Sequence, residues 1–109
     1  MNAETFRALG EPSRLQIVEL LRARPFSVGE IADTLAIRQP QVSKHLRVLA
    51  ETGIVSAIPM ARQRIYHLEA EPFAVISDWV DSFERLWTTR LDSLDAYLKA
   101  VDTKRGEDE

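Results

Sequence analysis

Gln39-Pro40-Gln41-Val42-Ser43-Lys44-His45-Leu46-Arg47-Val48-Leu49 places apolar side chains at 42, 46 and 49, the i, i+4, i+7 spacing that lines one face of a helix. Pro40 lies near its start, where a missing N–H breaks no helical bond, and Gly53 stops the stripe. Once those three residues turn inward, Gln41, Lys44 and Arg47 face outward, with Gln39 and Ser43 flanking them near the N-terminal end. The spacing therefore predicts a helix over 39–52 with a buried seam and a polar, basic outer face.

Upstream, the turn Ala36-Ile37-Arg38 joins this helix to a shorter one over 27–35. Ser27 and Glu30 make a capping box there, and Ile31 and Leu35 point inward. Phe26 supplies a short strand residue. A helix beginning with Pro12 at its first position carries Leu15, Ile17, Val18, Leu20 and Leu21 on a wide stripe ending near Ala23, before Arg24-Pro25. Residues 3–9, with Phe6 and Leu9 at helical spacing, form a short first helix that Gly10-Glu11-Pro12 breaks.

Downstream the period changes. Ile54 to Pro59 and Gln63 to Leu68 read as two strands joined by the turn Met60-Ala61-Arg62, which lacks glycine, and Pro59 belongs at a sheet edge or strand end. From Glu71 to about Val101 runs one long helix with Pro72 in its first turn. Two helices joined by a tight turn and followed at once by a hairpin give the fold class: mainly α with a small β-hairpin wing, a winged helix-turn-helix with a long C-terminal helix.

A length of 109 residues suits one domain, expected over 1–101, with a polar, frayed tail over 102–109. The composition is 45% apolar and 28% charged, ordinary for a globular chain. No run approaches the roughly 18 apolar residues of a membrane span, and no secretory leader opens the chain, so no membrane association and a cytoplasmic location are expected. With no cysteine, disulfides, thiolate ligands and thiol nucleophiles are excluded.

The net charge of −3 hides an uneven distribution. Residues 38–68 carry five basic side chains (Arg38, Lys44, Arg47, Arg62, Arg64) against one acidic, Glu51, whereas residues 69–109 carry five basic and eleven acidic. A basic middle in an acidic chain suggests one surface that meets a polyanion. The residue types suit double-stranded DNA: Gln bonds adenine bidentately, Lys and Arg reach guanine or phosphate, and Ser bonds either base or phosphate. The helix around 39–52 is expected in the major groove. Arg62, Gln63 and Arg64 would set the 59–65 wing on the adjacent backbone or minor groove.

At this point the chain resembles the ArsR-type (arsenical-resistance regulator) winged-helix repressors. The resemblance rests on Phe6-Arg7-Ala8-Leu9-Gly10-Glu11-Pro12-Ser13-Arg14-Leu15-Gln16-Ile17-Val18, on Ile31-Ala32, on the stretch 39–49 quoted above, on Gly53-Ile54-Val55 and on Arg62-Gln63-Arg64-Ile65-Tyr66. It implies a homodimer built on the first and last helices, repressing transcription with two recognition helices in successive major grooves of a pseudo-palindrome. Many relatives sense metals through cysteines in the helix corresponding to 27–35, where Ser27 and Gly29 stand here. Another family site uses histidine and carboxylates on the last helix, which here holds Asp78, Asp81 and Glu84 without histidine. Neither metal-sensing site of the family and no cofactor are therefore expected; Asp78, Asp81 and Glu84 leave a carboxylate-only site for a hard cation as the alternative to the commoner solvated acidic face. The family's usual serine before the recognition helix is Arg38, which removes a side-chain cap and puts a cation near the DNA backbone.

The dimer expectation also has an independent footing. Phe73, Ile76, Val80, Phe83, Trp87, Leu91, Leu94, Leu98 and Val101 follow one another at 3, 4, 3, 4, 4, 3, 4 and 3 residues, close to a heptad seam. One small domain cannot cover such a seam along its whole length, and a second copy is the simplest cover. Phe6 and Leu9 join these residues as expected interface positions. Trp79, Phe83, Trp87 and Tyr97 admit a second reading, a pocket for a small organic effector, and a protein partner is a further candidate regulator.

Catalysis finds no support: Ser43 and His45 stand two residues apart on a helix and point in different directions, with no orienting carboxylate in the sequence pattern. His45 reads as a packing or phosphate-facing residue and His67 as structural. The alternative function is a winged-helix protein-interaction module without DNA binding, which would not need five cations on one segment.

Overall fold

The computed structural model describes residues 2–108, the side chains of 103–108 excepted. Eight elements follow in order: α1 (Ala3–Leu9), α2 (Pro12–Leu21), β1 (Phe26–Ser27), α3 (Val28–Leu35), α4 (Gln39–Glu51), β2 (Val55–Met60), β3 (Gln63–Leu68) and α5 (Ala70–Asp108). The chain divides into two compact units between Val75 and Ile76. The polar tail expected over 102–109 lies, Asp102 apart, outside the described side chains.

In the first unit each helix start has a local cause. The Asn2 side chain accepts from the Glu4 amide at 2.9 Å, and Glu11 accepts from the Arg14 amide at 2.8 Å with Pro12 next in the chain. Ser27 and Glu30 exchange hydrogen bonds in the expected capping box. Arg14 also donates from Nε to the Ala8 carbonyl at 2.6 Å, tying α2 to the last turn of α1. Ala36 ends α3 in the left-handed region at φ 55°. Helices that close in this region usually place glycine there, and here alanine bears the Cβ strain so that the chain can turn into α4.

The sheet order is β1-β3-β2, all antiparallel. Phe26 pairs with Tyr66, so the short strand before α3 reaches across the chain to the second strand of the hairpin. Pro59 sits on β2, an edge strand, where its missing N–H breaks no ladder bond. Met60 pairs with Gln63, leaving a two-residue loop in which Ala61 takes φ 56° in place of glycine.

Ile17, Ile31, Val42, Leu46, Leu49 and Ile54 have no exposed surface, and with Ala8, Val18, Leu21, Phe26 and Val55 they form one core. α4 meets α2, α3 and β2 through it. The residues at 42, 46 and 49 are thus the inward face, as their spacing predicts. The described residues of the second unit, from Ile76 on, belong to α5, which begins one residue earlier than the sequence pattern suggests and runs to Asp108.

Two measurements test this packing. Leu46→Ala removes a fully buried side chain and should lower stability by about 2–5 kcal/mol, read as a shift in urea midpoint at unchanged slope. Hydrogen bonding from the Ser27 backbone N–H, with help from Arg24, holds the Glu30 carboxyl below its ordinary 4.5. Its stabilising effect is therefore complete above pH 4.5 and is lost as pH falls through the lower folded-state value. The stability gap between wild type and Glu30→Gln should be flat near neutral pH and shrink in acid.

Candidate nucleic-acid interface

Burial of 42, 46 and 49 turns the other side of α4 to solvent: Gln39, Gln41, Ser43, Lys44 and Arg47 are all exposed. Arg38 stands at the N-cap in an extended conformation, and no side chain caps the helix start. The hairpin presents Arg62, Gln63 and Arg64, also exposed, at its tip and along the start of β3.

Two grooves join these groups. Gln39, Arg62, Gln63 and Arg64 line one of about 430 Å³ together with Val28 and Gly29 at the start of α3. Ser43, Arg47, Glu51 and Arg64 line a second of about 490 Å³, with Tyr66 and Val28 in its wall. Arg64 belongs to both, so the outer face of α4 and the wing form one surface. The nine expected DNA-contacting residues are all exposed. Six of them meet along these grooves, while Arg38, Gln41 and Lys44 lie on the open side of α4 or at its start.

The cations on this surface are not taken up by ion pairs. Among the described residues, Arg38, Lys44, Arg47, Arg62 and Arg64 make no ion pair and no side-chain hydrogen bond. Elsewhere in the same unit every arginine is engaged: Arg7 with Glu4, Arg22 with Glu19, Arg24 with Glu30, and Arg14 with backbone carbonyls. Cations without an ion-pair partner on an exposed face remain available to an incoming polyanion. Glu51 in the second groove was not among the expected site residues, although its place four residues after Arg47 puts it on the same helix face.

The histidines sit beside carboxylates. His45 is half-buried, with Nδ1 3.8 Å from the Glu11 carboxylate that caps α2, and His67 Nε2 lies 3.7 Å from Glu69. The first contact ties α4 to the start of α2, and the second is local, between residues two apart in the chain. Among the described residues, no three His, Asp or Glu side chains gather as a metal site would require.

The expected interface residues divide in two. Leu9 and Phe73 are half-buried against the core of the first unit, which takes part of their apolar surface, while Phe6 is exposed. In the second unit Ile76 is half-buried, whereas Val80, Phe83, Trp87, Leu91, Leu94 and Leu98 are exposed, Leu91 by 59%. Trp79, Trp87 and Tyr97 are exposed as well, and Trp79 meets Phe83 edge-on at 4.9 Å.

A helix-turn-helix domain family matches residues 9–56. The chain is 34% identical over 103 residues to the HTH-type transcriptional regulator Rv2034 of Mycobacterium tuberculosis, covering 94% of this chain and 90% of that protein. It is similar to a crystal structure of an ArsR family transcriptional regulator, with TM-score 0.69 and 28% identity over 78% of this chain and 88% of the other. It is also similar to the homodimeric winged helix-turn-helix DNA-binding domain Mb0332 of Mycobacterium bovis, with TM-score 0.63 and 27% identity over 75% of this chain and 76% of the other.

Single substitutions should separate the two parts of the surface. Lys44→Ala and Arg47→Ala should weaken binding to a selected duplex. Arg62→Ala and Arg64→Ala should each lower the slope of log affinity against log salt by about 1, the effect of one lost phosphate contact. Unchanged slopes in both wing variants would take the wing out of the interface.

Proposed function

The chain belongs to the ArsR-type winged helix-turn-helix transcriptional regulators, and from that premise we propose that it is a homodimeric repressor of a palindromic operator. α4 enters the major groove with Gln39, Gln41, Ser43, Lys44 and Arg47 towards bases and phosphates. Arg38 holds a phosphate at the helix start, and Arg62, Gln63 and Arg64 lie on the adjacent backbone. The observation that carries this reading is the single exposed surface on which the unpaired cations of α4 and the wing meet.

Dimerisation follows from the exposed seam of α5. A row from Val80 to Leu98 left in water forfeits hydrophobic free energy that a second copy recovers, and Phe6 adds to the same interface. Two-fold symmetry then presents two recognition helices to half-sites about 34 Å apart, one turn of DNA. A dimer seated across a promoter in this way excludes polymerase, which is repression by occupancy. No helix among the described residues is long and apolar enough to cross a membrane, and the protein acts in the cytoplasm, where the DNA is. Residues 1–101 serve as one DNA-binding and dimerisation domain.

Selection of bound sequences from random duplex DNA, with the mass in solution measured alongside, tests the reading. The expected result is an inverted repeat with half-sites about 10 base pairs apart, bound by a dimer. Leu91→Glu should halve the mass and abolish tight binding. A folded dimer that enriches no sequence at low salt would favour a protein-docking role instead. The operator so obtained is also the reagent for finding the small organic effector or protein partner that releases it.

A further inference from the structure

Within the basic segment 38–68 a single carboxylate, Glu51, stands among five cations. It is exposed, and it lines the same groove as Ser43, Arg47 and Arg64. It makes no ion pair with Arg47 or Arg64 among the described residues, so it does not serve to hold either guanidinium in place. Its position is also electrostatically poor for the protein itself. Glu51 is the last residue of α4, whose final turn contains no basic side chain, and the negative end of a helix disfavours a carboxylate. A residue that breaks a local rule without a compensating contact points to a role outside the fold.

We propose that Glu51 is a specificity-determining residue: it repels non-cognate DNA from the groove and, at the operator, accepts a hydrogen bond from a base amino group. The proposal rests on the DNA-binding reading of this surface. Binding without sequence preference comes almost wholly from phosphates approaching cations, so a carboxylate beside Arg47 and Arg64 weakens every register that brings a phosphate there. In the major groove only cytosine N4 and adenine N6 offer the donor that a carboxylate accepts. When such a base faces Glu51, the repulsion is offset by a charge-assisted hydrogen bond, and the penalty falls on the wrong sequences alone.

The test compares wild type, Glu51→Gln and Glu51→Ala on the selected operator and on a scrambled duplex of equal length, across a salt series. Both variants should bind the scrambled duplex several-fold more tightly, with a steeper salt dependence. Operator affinity should rise less or fall, and repeated selection should show one relaxed position in each half-site. Thermal melting should show the variants at least as stable as wild type, which separates discrimination from folding. An equal gain on both duplexes, or an unchanged ratio, overturns the proposal while leaving DNA binding intact. Wild type that prefers no sequence overturns the DNA-binding reading and this proposal with it.

Discussion

Val42, Leu46 and Leu49 are packed without exposed surface among Ile17, Ile31 and Ile54, and the direction of every polar group on α4 follows from that contact. Side chains of this size contribute roughly 1.5–3 kcal/mol each when taken out of water, which far exceeds anything the outer residues could gain by turning inward. The helix cannot rotate about its axis without exposing this seam. Gln39, Gln41, Ser43, Lys44 and Arg47 are consequently held in a fixed array, and a rigid array is what reading a groove of DNA requires.

The same unit treats its cations in two ways. Arg7, Arg22 and Arg24 pair with acids three or six residues away, and Arg14 ties two helices together through carbonyls. Such exposed pairs add little stability, but they do quench the surface field. The five cations of 38–64 make no ion pair among the described residues. A chain that is acidic as a whole can therefore still carry a surface that attracts a polyanion.

The second unit shows the opposite economy of surface: its helix is apolar where water is, from Val80 to Leu98. Helices in proteins are held mainly by tertiary packing of an apolar face, and along this stretch of α5 that face is left exposed.

Local rules make much of this structure legible in the sequence. The period of Val42, Leu46 and Leu49 determined which face of α4 is outward. Ser27 with Glu30 marks the start of α3, and of the two places open to Pro59, a sheet edge or a strand end, it occupies the edge strand β2. These features depend on residues within one or two turns of each other, where spacing alone decides geometry. Tertiary structure decided what pairs distant segments: β1 with β3 through Phe26 and Tyr66, Arg64 with both grooves, and Glu51 with Ser43 and Arg47 in one wall. It also drew Leu9 and Phe73 onto their own core and let Ala36 and Ala61 take positive φ where glycine would be expected. Those outcomes were invisible in the sequence because they arise from a balance of long-range burial against local strain, and only the packed chain shows which term is larger.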